Sequence, residues 1–288
     1  TSSAIVSPMP TSAHASHPRA MPTVFVGHGS PMNAIEDNGF NRQWRALGER
    51  LPKPRAVLCV SAHWETCGAR VTASGSPPTI HDFYGFPQAL FEVRYKAPGD
   101  PRLARHVAEL LGPKRAQIDA TRGLDHGAWS VLRAMYPDAD IPVVQLGIDT
   151  SQSGEHHYQL AMALAPLRDE GVLVLGSGNI VHNLSEFDPR NPHPLDWAQR
   201  FDAAVRRRVR AREHIELIDW HRLGADAQLS VPTPEHYLPL LYVLALQRDD
   251  DRASFFNEVV TSAIAMTSIV IEPGPEGGHR SAAAGRPS

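Results

Sequence analysis

Four histidines, His28, His63, His182 and His236, occupy settings suited to holding a metal ion. His28 lies between two glycines after the run VFVG, His63 ends AVLCVSAH, and His182 ends VLVLGSGNIVH. In each case an apolar, strand-like stretch gives way to small residues and then to an imidazole. His236 sits in PTPEH, ahead of a long apolar segment. Neutral imidazole is the commonest side-chain metal ligand. One such histidine is as readily structural as ligating; four in a shared context point to one divalent ion. Glu235 adds a carboxylate beside His236. Three ligands with open positions suit non-haem Fe(II) oxygen chemistry, whereas a closed tetrahedral set suits structural zinc.

His126 is a different case, because it follows Asp125 and opens a helix-like stretch in DHGAW. An adjacent carboxylate raises an imidazole pKa from about 6.5 toward the working pH, as a proton donor requires. A helix-capping role fits the same residues. His106, His156, His157, His193, His214 and His221 lie in helix-like or polar stretches, and His14, His17 and His279 in terminal segments. These read as packing or surface residues. Cys59 reads as core, and Cys67 in WETCG lacks a second cysteine with which to hold a metal.

Gathering these groups requires strands that end near one another, and open α/β sheets collect ligands at the carboxyl ends of their strands. Thr23–Val26, Ala56–Ser61, Ala69–Ala73, Phe91–Tyr95, Arg115–Asp119, Pro142–Ile148, Val172–Gly176 and Ser268–Ile271 read as strands. Ala69–Ala73 is expected beside Ala56–Ser61, Arg115–Asp119 at an edge, and Ser268–Ile271 closing the sheet. Asn41–Leu51, Arg102–Leu111, Ala128–Tyr136, Glu155–Arg168 and Leu195–Arg212 read as helices, and another is expected to start near Pro234. Strands and helices alternate without repeat or linker. The expected fold is a single-domain three-layer α/β/α sandwich around a largely parallel or mixed sheet, spanning residues 21–273. Residues 1–20 and 274–288, rich in Ser, Ala, Gly and Pro, are expected to be disordered tails.

Composition narrows the partners. The chain has 288 residues, 42% of them hydrophobic, and a net charge of −3, which suits one large domain and no nucleic-acid groove. Arg206, Arg207, Arg208 and Arg210 lie in a helix with Asp202 and Glu213 and read as a solvated face. Two cysteines make no disulfide framework, so a reducing cytoplasm is expected. The longest apolar stretch, Tyr237 to Leu246, contains Pro239 and falls short of the roughly 20 residues a bilayer requires. Residues 1–20 lack the apolar core of a secretory signal. A small-molecule partner and a monomer or small homo-oligomer are expected.

Seven motifs then point to a family. GHGSPMNAIED, SAHWET, PPTIHDFYGFPQAL, GLDHGAWSVL, MYPDADIPVVQL, GSGNIVHNL and PTPEHYLPLLYVL, in this order from about Met21 to Ile271, resemble the DOPA-type extradiol ring-cleaving dioxygenases. These belong to the class III extradiol enzymes, related to the protocatechuate 4,5-dioxygenase β-subunit. The resemblance implies metal ligands at His28, His63 and His236, with His182 as a fourth ligand or an acid–base residue and His126 as a further active-site histidine. The protocatechuate branch has a glutamate as third ligand, where this chain has His236 beside Glu235. The implied cofactor is one divalent metal, Fe(II) for oxygen chemistry, with Zn(II) compatible with an all-histidine set. The implied substrates are O₂ and a catechol such as DOPA, opened beside its hydroxyls, with His182 or His126 moving the protons. The loop residues His81, Phe83, Tyr84 and Phe86 are the expected pocket wall. Two other activities use the same residues: a zinc-dependent hydrolase, and a non-enzymatic binding protein similar to the Memo proteins.

Overall fold

Residues 20–112 and 115–274 are described by the computed structural model. Apart from Ala20 and Gly274, the expected tails lie outside the described residues. The apolar runs pair as β1 (Thr23–Gly27), β2 (Ala56–Glu65), β3 (Ala69–Thr72), β4 (Ala116–Asp119), β5 (Val143–Ile148), β6 (Val172–Gly178) and β7 (Asp251–Phe256). A short ladder of β8 (Val260–Thr261) and β9 (Ile264–Ala265) precedes β10 (Ser268–Pro273). The main sheet has the order β4-β3-β5-β2-β6-β1-β10-β7. Its centre, β5-β2-β6-β1, is parallel, whereas β10 and β7 join antiparallel, as does the β3–β5 contact.

Helices cover both faces, which is why the central strands read as continuous apolar runs rather than alternating ones. On one face Val24, Val26, Val57, Cys59, Leu173 and Leu175 pack with residues of the helices Gly39–Arg50 and His126–Met135. On the other, Phe25, Leu58, Val60 and Val174 pack with Pro101–Leu111, Gly154–Met162, Asp196–Ala211 and Leu238–Leu244. The result is the expected three-layer sandwich.

Several elements differ from the sequence reading. Phe91–Tyr95 is no strand: the helical turn Gln88–Phe91 ends there and the chain runs on without a ladder. Glu155–Arg168 divides into Gly154–Met162 and Pro166–Asp169, because Pro166 has no N–H to continue the first helix. The helix expected near Pro234 starts at Leu238, after a turn in which the Pro234 carbonyl accepts from Tyr237 and Leu238. β3 pairs with β4 and β5 rather than with β2. β10 does not close the sheet, since β7 lies outside it.

That outer strand is tied down by a buried ion pair. Arg168 and Asp251 are both fully buried, and the guanidinium also donates to the carbonyls of Met21 and Leu246. Removing one partner strands the other charge without solvent, at a cost of about 3–5 kcal/mol. Asp251→Ala is therefore expected to lower the melting temperature by about 10 °C. A shift of one or two degrees in a thermal scan would show that the pair contributes little.

Arg206 pairs with Asp202 and Glu258, and Arg208 with Glu216, but Asp202 is buried and both arginines are largely covered, so this is not the wholly solvated face expected. Among the described residues no helix is long and apolar enough to cross a membrane.

Candidate metal centre

Alternation along the central strands sends one set of side chains toward the helix His126–Met135. Ser177 of β6 lies laterally between Val26 of β1 and Ser61 of β2. Two residues further on each neighbouring strand path come His28 and His63. His28 follows the end of β1, whereas His63 lies within β2, where its register with β5 shifts between Val60 and Glu65. His126 is the first residue of its helix, with Asp125 as the cap. Hence His126 does not cap the helix.

The other two histidines arrive on loops. After β6 the chain bends so that the His182 amide donates to the Ser230 carbonyl and His182 bridges to Ile264. His236 packs its backbone on Gly178, where a Cβ would lie 2.1 Å from the His236 oxygen. Gly127 plays the same part on the opposite side, because a Cβ there would meet Ser61 Oγ at 2.4 Å and His63 Cδ2 at 3.0 Å. These two glycines permit the close approach that brings the imidazoles together.

All five histidines singled out in the sequence converge. Ring centroids are 4.9 Å apart for His28–His63, 5.4 Å for His28–His236, 5.0 Å for His63–His236 and 3.8 Å for His63–His126. The His182 ring stacks on His236 at 3.5 Å and 7°. One potential ligand atom from each of His28, His63 and His126 lies within 4.8 Å of the others, and the same holds for His182, Glu235 and His236.

Hydrogen bonding fixes two tautomers. Ser177 Oγ lies 2.6 Å from the Gly127 carbonyl, which can only accept, so the hydroxyl proton is committed there. The same oxygen, 3.0 Å from His28 Nδ1, must then accept from it, leaving the His28 Nε2 lone pair free. Glu235 Oε1 likewise accepts from His236 Nδ1 at 3.0 Å and from Thr233 at 2.9 Å. His236 Nε2 is buried without a partner. His28 Nε2 and His63 Nε2 are 3.0 Å apart. Lone pairs converging in this way repel one another unless a proton or a cation lies between them. The donor set therefore fits a divalent metal, with Glu235 and Ser177 orienting ligands from behind.

The protonation states agree. Burial, followed by the neighbouring imidazoles, holds His28 and His236 well below the ordinary histidine value. Burial and then His126 lower His63 to about 3, against the opposing pull of Asp82. Burial lowers His182 to about 4. At neutral pH these rings are uncharged and their lone pairs are available.

The carboxylate facing His126 is Asp82, not the adjacent Asp125. Asp82 Oδ1 lies 3.0 Å from His126 Nδ1 and accepts from the His126 amide at 2.9 Å. Burial raises the Asp82 pKa, but the hydrogen bonds and charge of His126 outweigh it and the net shift is downward. Asp125 is instead buried beneath the site, bound to Ser61 at 2.7 Å and Gln145 at 2.7 Å, and its pKa is raised by burial first and the Asp82 charge second. Sequence adjacency pointed to the wrong acid because a helix N-cap turns its side chain back onto the helix.

Of the expected pocket wall, Phe83 meets the site, its ring edge-on to His126 at 5.6 Å, and Phe86 packs behind Phe83. His81 turns away to the Val93 carbonyl, and Tyr84 is 93% exposed. Cys59 is buried, as its place in the strand implied, and Cys67 is exposed. Asp82 and Ser177 are the residues contacting the histidine cluster that sequence reasoning missed; a lone carboxylate amid the aromatics of HDFYGFP was the available signal.

Similarity to known proteins gives the family. The model of the catalytic LigB subunit of aromatic ring-opening dioxygenase matches residues 13–270. The chain is 50% identical over 231 residues to the 4,5-DOPA dioxygenase extradiol of Escherichia coli, covering 78% of this chain and 84% of the relative. It is 39% identical over 244 residues to that of Beta vulgaris, covering 82% and 90%. A crystal structure of an uncharacterized protein from Escherichia coli K12 superposes with a TM-score of 0.76 at 41% identity, covering 87% of this chain and 99% of that one. With the family model spanning most of the chain and such relatives on both sides of it, the protein belongs to the LigB family of metal-dependent, aromatic ring-opening extradiol dioxygenases.

Proposed function

We propose that the protein uses Fe(II), held by His28, His63 and His236, to open the ring of a catechol such as DOPA beside its two hydroxyls. The observation that carries this is the convergence of imidazole lone pairs, two of them fixed by Ser177 and Glu235. When bound, the metal supplies open positions for both catechol oxygens and O₂ and a path for electrons between them. Both oxygen atoms enter the product, a ring-opened semialdehyde.

The residues of the chain do the rest. His126 and His182 flank the three ligands and are neutral or carboxylate-paired, so each can accept a catechol proton and later return it. The parallel stacking of His182 on His236 favours the acid–base role over a fourth ligand. Phe83 supplies an apolar wall beside His126 and keeps water from the proton path. Glu235 holds His236 from behind and is not needed as a ligand.

Protein reconstituted anaerobically with Fe(II) is expected to consume O₂ when given DOPA or caffeate and to form a yellow ring-opened product. The zinc form is expected to be silent, because Zn(II) has no accessible redox change. Hydrolysis of esters or phosphates by the zinc form, without oxygen uptake by the iron form, would favour a hydrolase. Catechol binding without turnover by either form would favour a binding protein.

A further inference from the structure

The carboxylate of Asp82 is fixed against the helix that carries His126. Its loop is laced to the segment ahead of that helix: Ile80 donates to the Leu124 carbonyl at 2.7 Å and Leu124 to that of Pro78 at 2.8 Å. Trp129, one turn into the helix, donates its indole N–H to the Ile80 carbonyl at 2.7 Å. Gly123 admits the loop, since a Cβ there would lie 2.1 Å from the Pro78 oxygen. Two residues beyond Ile80, the Asp82 carboxylate meets the first amide of the helix, where a negative charge is favoured.

From this anchored position the carboxylate faces two imidazoles. Oδ1 is 3.0 Å from His126 Nδ1, and Oδ2 is 3.9 Å from His63 Nδ1. His126 Nδ1 is buried and makes no well-aligned hydrogen bond, Asp82 Oδ1 at 3.0 Å being the acceptor poised beside it. The other nearby carboxylate, Asp125, is occupied by Ser61, Gln145 and the Ala128 amide. Phe83 closes the edge of the His126 ring, so the imidazole has little room to turn.

We infer that Asp82 is a positioning residue: it takes the Nδ1 proton of His126 as a hydrogen bond and so keeps the Nε2 lone pair directed at the histidine cluster. A carboxylate partner selects one tautomer of a histidine and fixes its ring. Without Asp82 the His126 proton is free to move to Nε2, the nitrogen needed to receive a proton from substrate. The inference rests on the acid–base reading of His126 given above, but the tautomer itself does not depend on any reaction.

The test uses the full chain with ¹⁵N-labelled histidine. In the metal-free protein, His126, assigned by its loss in His126→Gln, is expected to show a proton on Nδ1 and none on Nε2. Asp82→Ala is expected to populate the Nε2–H form. In the iron-loaded protein, Asp82→Ala should lower kcat by about 10–100-fold with KM and iron content unchanged. Asp82→Asn retains an acceptor oxygen for the His126 amide and ring, and is expected to keep the Nδ1–H tautomer and recover part of the rate. It also serves as the folded control should Asp82→Ala prove unstable. An unchanged His126 tautomer in Asp82→Ala, or a rate loss that tracks loss of iron, would overturn the assignment. Wild-type protein with the Asp82-dependent tautomer but no oxygen uptake would remove the ring-cleavage reading and leave the positioning role standing.

Discussion

Protein carrying His28→Ala or His236→Ala should emerge from iron reconstitution and desalting with little bound metal and at least about 10³-fold less ring cleavage. A metal supplies several kcal/mol of charge stabilisation in reactions of this kind, and each tenfold in rate is about 1.4 kcal/mol. The ligand set is small, so each imidazole removed leaves a shell that water must complete. Folding should survive, because both rings belong to the site and β1 and the helix Leu238–Leu244 are buried independently of them. Acid has a related effect of known sign. A buried imidazole whose pKa is lowered binds fewer protons folded than unfolded, so its contribution to stability is complete above about pH 6.5 and declines as the pH falls toward the lowered value. For His63 that value is about 3, so protons compete for its lone pair well below neutrality. Elemental analysis reads the first expectation directly; full iron content in the His28→Ala protein would remove His28 from the ligand set.

What could be read from the residues, and what could not, divides along physical lines. The central strands announce themselves because both their faces are covered, which demands uninterrupted apolar runs such as AVLCV and VLVLG. β7 does not, because DRASFF sits at an edge with only one face and one neighbour to satisfy. The five site histidines were legible from the apolar runs and small residues around them in the sequence, although His63 lies within β2 rather than beyond it. Their geometry was not, since the tautomers depend on Ser177 and Gly127, which lie 149 and 99 positions away from His28 in the chain and come together only through strand register and helix packing. The same reason hid Asp82. Its partner His126 is 44 residues on, and the tempting acid beside it, Asp125, is turned inward by capping the helix. Local sequence reports which residues reach the end of a strand. It does not report which carboxylate crosses a loop to meet an imidazole.

The two remaining histidines separate by what their loss leaves behind. His126→Gln and His182→Gln are each expected to lower turnover by about 10²–10⁴-fold, the contribution of a positioned proton-transfer group, while iron content stays full. The stacking geometry sharpens the expectation for His182. A ring lying parallel to His236 at 3.5 Å presents its face to that ligand, while one nitrogen still lies within 4.8 Å of a donor atom of His236, so the two roles predict different metal contents. Its pKa of about 4 makes it a neutral acceptor at physiological pH, ready to take a proton and a strong donor once it holds one. His126 differs in having the Asp82 carboxylate behind it, 3.0 Å from its Nδ1, which leaves Nε2 as the nitrogen for proton transfer. Glutamine removes the titratable nitrogen from either position and keeps a hydrogen-bonding amide of comparable reach. Metal analysis alongside kcat distinguishes the roles. If His182→Gln loses iron in proportion to activity, His182 is a fourth ligand and proton transfer passes to His126 alone; if iron is retained and the rate still falls, both act on protons around a three-histidine centre.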